Sequence, residues 1–215
     1  MMKIFYPLSL ACLSLSALFC SCGGAKPTPT NAYLGDVPAV TEAYRMEKVE
    51  IHKTGLSFMD KNENTTDASV FTQFAAEQEA HVEAADARLA AGLEKARATL
   101  VNKEIPMENK NPKYTISGWH IKDIDSVGMI VIEGKLIVKQ PIPFLHGTAY
   151  LWYEIVNEAG ETIVDGKVTL NNPDYGAEQA NEGEDYIVEA RLDPYQNPAL
   201  CYFAKMIFGS KITTN

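Results

Sequence analysis

The chain has 215 residues, of which 46% are hydrophobic, and this length and composition are typical of one large globular domain or two small ones. Its 19 basic and 28 acidic side chains give a formal net charge of -9, so the chain has no overall electrostatic attraction for nucleic acid. The composition therefore argues against a chain that is disordered throughout and against a nucleic-acid-binding function.

Residues 1–21 differ from the rest of the chain, because their single charged residue, Lys3, is followed by an apolar run from Ile4 to Phe19. This run is shorter than the ~20 residues that a permanent membrane-spanning helix needs, and small and turn-forming residues follow it instead of a basic segment. The pattern predicts a cleaved export signal over residues 1–21.

The end of the apolar run reads Leu-Phe-Cys-Ser-Cys-Gly-Gly at residues 18–24. With Phe19 at position −3 and Ser21 at position −1 relative to Cys22, the segment resembles the lipobox of bacterial lipoprotein signals. The resemblance implies that Cys22 is lipidated and that its acyl chains hold the mature protein at a membrane. Because no acidic run follows Cys22, we expect the periplasmic face of the outer membrane. The alternative is an ordinary secretory signal with incidental cysteines.

Residues 22–44 contain several Gly, Pro, Thr and Ala residues, which predicts a flexible tether between the anchor and the folded part of the chain. Residues 45–105 are expected to hold a strand and a long helix. The strand is predicted from the alternation of apolar and polar residues between Arg45 and His52. Gly55 and the polar residues 60–64 predict a loop after it.

From Ser69 to about Lys103 the chain consists mainly of strong helix formers, which predicts one amphipathic helix with Asp67 as its N-cap. At 1.5 Å per residue this helix would be about 50 Å long, more than the width of a small domain. Its apolar residues follow each other at steps of three and four and form one stripe: Phe71, Phe74, Gln78, Val82, Ala85, Leu89, Leu93, Ala96 and Leu100. Two partners for this stripe are possible: a sheet of the same chain, or a helix of a second copy or of another envelope protein.

After Pro106 the sequence changes to short runs of β-branched and aromatic residues separated by turn signals. Gly134 predicts a bulge or a close approach of neighbouring atoms, and Asn157 to Gly160 predict a hairpin turn. The expected fold class is α+β, with the long helix followed by an antiparallel β-sandwich over residues 106–215. Six strands are predicted: Tyr114–Lys122, Met129–Lys139, Thr148–Val156, Thr162–Leu170, Asp185–Leu192 and Leu200–Phe208.

Residues 153–157 read Tyr-Glu-Ile-Val-Asn, at the place where the FxLYD-type immunoglobulin-like family has Phe-x-Leu-Tyr-Asp. Gly160 and Gly183 also stand where that family has glycines. Residues 106–215 therefore resemble this family, which occurs in many exported bacterial proteins, although Val156 and Asn157 depart from its tyrosine and aspartate. The resemblance implies an immunoglobulin-like fold and an adhesive or accessory role, and it carries over no catalytic residue.

Residue patterns that carry catalysis or bind metals are missing from the sequence. It contains no Gly-rich phosphate loop and no G-x-S-x-G motif. Cys201 lies in an apolar stretch and is expected to be a buried, inert thiol. The histidines lack the spacing of zinc ligands: His52, His81, His120 and His146.

The segment from Asn171 to Asp185 carries five carboxylates, which we interpret as a solvated acidic loop, with weak calcium binding as the alternative. Because none of these patterns matches a catalytic or ligand-binding motif, we expect no enzyme activity, no cofactor and no metal.

Aromatic residues provide one candidate binding surface. Alternation along residues 150–155 places Leu151, Tyr153 and Ile155 on one face of a strand. Tyr150 and Trp152 then lie on the other face, where they could form a flat platform for a glycan or a protein. The competing interpretation is that the long helix covers this face.

The sequence as a whole favours a membrane-anchored, non-catalytic lipoprotein of the bacterial cell envelope that serves as a binding or accessory module for an envelope protein. The alternative is a glycan-binding module of a nutrient-uptake system that uses Tyr150 and Trp152. The lipid on Cys22 would make the membrane contact in either case.

Overall fold

The computed structural model describes residues 32–171 and 177–213, so the predicted export signal, Cys22 and the first part of the predicted tether lie outside it. Two helices come first, α1 at Val37–Lys61 and α2 at Ala68–Leu100. A 3-10 helix at Pro198–Tyr202 precedes the last strand. The strands are β1 (Met107–Asn109), β2 (Tyr114–Ile124), β3 (Ile130–Val138), β4 (Ile142–Pro143), β5 (Thr148–Val156), β6 (Thr162–Asn171), β7 (Gln179–Ala180), β8 (Asp185–Leu192) and β9 (Lys205–Thr213).

The strands form a β-sandwich-like unit with two main sheets, and the predicted α+β class is confirmed. One sheet has the order β1-β9-β5-β6, the other has the order β2-β3-β8, and β4 pairs with β7. Only β1 and β9 pair in parallel among the described strands. Aromatic rings join the two sheets: the ring centroid of Phe208 on β9 lies 5.4 Å from that of Trp119 on β2. The Tyr153 ring on β5 packs against the same phenylalanine at 5.8 Å.

Five of the six predicted strands are confirmed, with ends that differ by no more than two residues. The sixth, Leu200–Phe208, is wrong over its first half, because Pro198 begins a 3-10 helix that includes Cys201. The strands β1, β4 and β7 were not predicted. Each has two or three residues, too few to display an alternating pattern.

The predicted turn and the predicted close approach are both confirmed. β5 and β6 form a hairpin in which the Asn157 backbone N–H donates to the Glu161 carbonyl at 3.0 Å, and Gly160 has a φ of 81°. Gly134 faces Trp119, and a Cβ at this position would lie 2.4 Å from the indole Cε3 atom. Only glycine leaves room for the indole there.

The predicted strand at Arg45–His52 is wrong, because these residues belong to α1. The loop predicted from Gly55 is wrong up to Lys61, where α1 ends, whereas residues 62–64 do form the turn that follows the helix. Pro38 stands in the first turn of this helix, where a proline is well tolerated. The residues of α1 that face α2 recur at steps of four and seven: Val40, Tyr44, Ile51 and Phe58. This spacing is typical of a helix that packs along one partner helix.

The second helix is confirmed. Asp67 caps it by accepting a hydrogen bond from the Ser69 backbone N–H at 2.9 Å, and all nine residues of its stripe are buried or half-buried. The stripe has two partners in the same chain. Its last residues, from Leu89 to Leu100, lie in the core with the sheet residues, as the first expected arrangement predicted, whereas its earlier residues face α1, which neither arrangement included. The rings of Phe58 and Phe74 stack with their centroids 3.7 Å apart. Gly92 faces Val40 so closely that a Cβ on the glycine would lie 2.7 Å from Val40 Cγ1.

The root of this helical hairpin is joined to the sandwich. Leu34, Leu93 and Leu100 belong to the same buried cluster as the sheet residues. After α2 ends, the Asn102 backbone N–H donates to the Ile121 carbonyl at 2.8 Å. The Arg97 guanidinium Nε donates to the Ile124 carbonyl at 3.0 Å. The end of α2 is therefore held against β2 by apolar contacts and hydrogen bonds.

We expect opposite effects from the same substitution at two helical glycines. Gly55→Ala adds a methyl group that meets no atom within 4 Å, so it should stabilise the protein by up to ~1 kcal/mol through helix propensity. Gly92→Ala should be destabilising, because the new methyl group displaces Val40. Chemical denaturation measures the change in the free energy of unfolding for each variant.

The control for the second substitution is Gly92→Ala combined with Val40→Ala, which removes the side chain that the new methyl group displaces. The helix pairing would be contradicted if Gly92→Ala stabilised the protein as much as Gly55→Ala does.

Candidate functional site

The outer part of the helical hairpin has little packing, and we call residues 45–84 the distal arm. The buried residues of α1 are confined to its first turns, at Val37, Pro38 and Thr41. Those of α2 begin at Ala85 and continue to Leu100. Every residue of the distal arm is therefore half-buried or exposed. The arm extends past the sandwich, and most of its cover comes from contacts between its own two helices.

Polar and aromatic contacts hold the two helices of the arm together. At its root, the Tyr44 hydroxyl donates to Asp86 at 2.8 Å, and this hydrogen bond to a carboxylate raises the pKa of the tyrosine. The Arg88 guanidinium Nη2 lies 2.9 Å from the Glu47 carboxylate. Near the tip, Phe58 stacks on Phe74. These contacts fix the direction of the arm and use one side of α1.

The other side of α1 carries four exposed apolar side chains, which we call the outer seam: Met46 (45% exposed), Val49 (38%), Leu56 (55%) and Met59 (57%). At 100° per residue, Val49 and Leu56 point roughly opposite to Ile51 and Phe58, which face α2. Sequence reasoning missed this surface because it assigned these residues to a strand and a loop. The spacing of three and seven residues from Met46 to Val49 and Leu56 was the signal available, since it matches heptad positions, whereas Met59 lies to one side of them.

Two charged residues beside the outer seam, Arg45 and Lys53, have partners in the same helix. The Arg45 guanidinium donates twice to the Glu42 carboxylate, at 2.7 Å for each contact. The Lys53 ammonium lies 3.7 Å from the Glu50 carboxylate. Both cations, Arg45 and Lys53, therefore have a carboxylate beside them. This pairing lowers the free-energy cost of desolvating their charges when another protein surface covers this side of α1.

Tyr150 and Trp152 lie side by side on the outer face of β5, whereas Leu151, Tyr153 and Ile155 are buried in the core. The predicted alternation is therefore confirmed. Both rings of the outer face are half-buried, and the Trp152 indole N–H donates to the Thr213 hydroxyl at 2.9 Å. α2 packs on β2 and on α1 instead. The expectation that the long helix covers the outer face of β5 is therefore wrong.

A lysine covers part of this aromatic surface instead. The Lys167 ammonium lies 3.8 Å from the centroid of the Tyr150 ring and 5.9 Å from that of Trp152. These are cation–π distances, so the face of the Tyr150 ring is occupied by a side chain of the neighbouring strand β6. A ligand that stacks on Tyr150 has to displace this ammonium.

The described residues contain no cluster of three or more His, Cys, Asp or Glu side chains that could hold a metal ion. Cys201 is half-buried, and burial raises the pKa of its thiol, which disfavours the reactive thiolate. His52, His81 and His146 are exposed on separate elements, and His120 Nδ1 lies 2.6 Å from the Gly118 carbonyl.

In the acidic segment, residues 172–176 lie outside the described part of the chain. Glu184 accepts hydrogen bonds from the Asn181 backbone N–H at 3.0 Å, the Asn181 amide at 2.9 Å and the Tyr186 hydroxyl at 2.6 Å. These donors lower the pKa of the Glu184 carboxyl group. This carboxylate thus closes the turn before β8.

Comparisons with known proteins gave no match to a protein-family model, to a curated protein or to a solved structure. Neither α1 nor α2, the helices of the described residues, is apolar enough over its length to cross a membrane. Cys22, the predicted lipidation site, lies outside the described residues.

We expect Lys167→Ala to make the indole of Trp152 more accessible to solvent, because the alkyl chain and ammonium of Lys167 lie over this surface. Acrylamide quenching of tryptophan fluorescence should increase. Trp119, which is 4% exposed, contributes little to the change. Lys135→Ala, which removes an exposed lysine from β3, is the matched control. Equal quenching in the two variants would contradict the cover by Lys167.

Proposed function

We propose that this protein is a lipid-anchored, non-catalytic component of the bacterial cell envelope whose distal arm binds an envelope protein. The observation that carries the proposal is the outer seam, four exposed apolar side chains on an arm without a buried residue. Contiguous exposed apolar surface is typical of interaction sites, and Val49 and Leu56 lie on the same face of α1.

The anchor and the location belong to the same proposal. The apolar run of residues 4–19 and the segment around Cys22 support an exported, lipidated chain at the periplasmic face of the outer membrane. Two or more acyl chains on Cys22 would provide stable membrane attachment without a membrane-spanning helix.

We also propose that the sandwich is an immunoglobulin-like domain of the FxLYD type. Two packed sheets and the hairpin turn that follows Tyr153 to Asn157 support this assignment. Asn157 fills the position of the family's aspartate and closes the turn, because its amide accepts from the Glu161 backbone N–H at 2.9 Å. The same amide donates to the Glu161 carboxylate at 2.8 Å, which an aspartate could not do when ionised.

A glycan-binding module of a nutrient-uptake system is the second candidate. The adjacent rings of Tyr150 and Trp152 on the outer face of β5 favour it, because sugar rings stack on flat aromatic surfaces. We place it second because Lys167 covers the Tyr150 ring.

The anchor is tested by Cys22→Ala. We expect this variant to move from the membrane fraction to the soluble fraction of the cell envelope, because the lipidated side chain is gone. The matched control is Cys201→Ala, which should stay in the membrane fraction. Retention of Cys22→Ala on membranes washed at high salt and alkaline pH would contradict the lipid anchor.

A further inference from the structure

We propose that strand β6 pairs with β6 of a second copy of this chain, antiparallel and with a two-fold axis at Gly166. This pairing joins the β1-β9-β5-β6 sheets of the two copies into one continuous sheet. Such an interface is isologous, because both subunits contribute the same strand. It lies on the sandwich, so it depends neither on the binding role proposed for the distal arm nor on the lipid anchor.

β6 is the last strand of its sheet, and no described strand pairs with its second side. The direction of the backbone groups in β5 shows which residues of β6 face that free side. The Ala204 backbone N–H, next to β9, donates to the Val156 carbonyl at 3.0 Å. Because successive residues of a strand direct their backbone groups to opposite sides, those of Tyr153 and Ile155 point to β6.

The partners of these two residues on β6 are Gly166 and Val164, whose backbone groups are therefore turned toward β5. The N–H and C=O groups of Asp165, Lys167 and Thr169 point to the free side. An added strand forms its backbone hydrogen bonds with such outward groups, which makes an open edge a template for pairing.

Asp165 lacks a compensating charge within its own sheet. Its cross-strand neighbour on β5 is Glu154, and both carboxylates are exposed on the outer face. No described residue forms an ion pair or a hydrogen bond with the Asp165 side chain. Like charges directly opposite each other on paired strands are destabilising. A cation on the free side of Asp165 would offset this repulsion.

Lys167 of a second copy provides this cation in one two-fold register. Because the outward backbone groups belong to residues 165, 167 and 169, an antiparallel pair has to place these positions opposite each other. An axis at Gly166 sets Asp165 of each copy opposite Lys167 of the other. An axis at residue 165 or 167 would instead set two carboxylates or two ammonium groups opposite each other, and a parallel in-register pair would do both.

The neighbouring side chains fit the same register. The Lys167 ammonium lies over the Tyr150 ring, on the same face of the sheet as Asp165. Around the axis at Gly166, Val164 lies opposite Val168 of the second copy, and pairs of β-branched residues are favourable in sheets.

The edge is accessible over this central segment but not along its whole length. A groove of about 420 Å³ lies between Lys167 and Thr169 of the edge and Glu189 of β8. A bulge follows Ile155 in the pairing of β5 with β6 and disturbs the start of β6. The regular pairing is therefore short, and we infer a weak dimer whose register is selected by charge.

Disulfide crosslinking in intact envelopes tests the pairing on the full chain, in a Cys201→Ser background. Two differently tagged copies are co-expressed, one with Asp165→Cys and the other with Lys167→Cys, so that their dimer keeps one Asp165–Lys167 pair. Directly opposite residues of this type have Cα atoms about 5.5 Å apart, which a disulfide can bridge. Two copies of residue 165 are offset by about 7 Å along the strands, which places their Cα atoms about 8 Å apart.

We expect mild oxidation of the co-expressed pair to give at least tenfold more linked dimer, carrying both tags, than either variant expressed alone. Lys139→Cys co-expressed with Glu182→Cys, at exposed positions outside β6, is the matched control and should stay monomeric. Strong linkage of Asp165→Cys alone would overturn the axis at Gly166. Absence of linked dimer from the co-expressed pair would overturn the pairing of β6 with a second copy.

Charge exchange tests the same register without cysteines, by co-purification of two tagged full-length copies. Asp165→Lys sets lysines opposite each other and Lys167→Asp sets aspartates opposite each other, so each should reduce co-purification at least tenfold. The double variant restores opposite charges and should recover it to within about twofold. Lys139→Asp, an equal change of charge at an exposed position, should have no effect. A double variant as weak as the single ones would overturn the proposal.

Discussion

The joint between the end of α2 and strand β2 determines how the rest of the molecule is arranged. Leu93 and Leu100 enter the core of the sandwich, while Arg97 donates to the carbonyl at the end of β2. The backbone beyond α2 then pairs with β2 through Asn102 and Lys103. Because apolar burial and backbone hydrogen bonds act at the same place, the direction of α2 is fixed there. The fixed direction of α2 also produces the distal arm, because a helix of 33 residues that ends at this joint has to extend past the sandwich.

Close packing of α1 on α2 follows from the small residues of the stripe. Gly92 and Ala85 let the helices approach until Val40 contacts the glycine, so α1 needs few large side chains near the root. Toward the tip, the larger rings of Phe58 and Phe74 fill the space between the helices. The inner face of α1 is thus used completely by α2, and the apolar residues on its outer face have no role in holding the hairpin together.

Sequence reasoning predicted the elements that have a strong local pattern. The sequence pattern directly predicted α2, from its helical period and its Asp67 cap, and five strands, from their alternation of apolar and polar residues. Helix α1 could not, because Met46, Val49 and Ile51 mimic alternation over a short window, whereas the helical period appears only over its full 25 residues. The error extended to the candidate site, since the outer seam exists only if these residues are helical. The position of Lys167 over Tyr150 depends on strand pairing and has no local signal.

The two candidate binding surfaces are structurally independent, which affects how a loss of binding can be interpreted. The outer seam belongs to α1, and its side chains contribute to neither the core of the sandwich nor the contact with α2. Tyr150 and Trp152 belong to β5 and are held by β6 and β9 through Lys167 and Thr213. We therefore expect substitutions at exposed positions of one surface to leave the other surface folded, because the two surfaces lie on different elements and share no residue. If Leu56→Lys impairs binding and Lys167→Ala does not, the partner binds the distal arm. If only Lys167→Ala changes binding, the partner binds the aromatic surface of the sandwich.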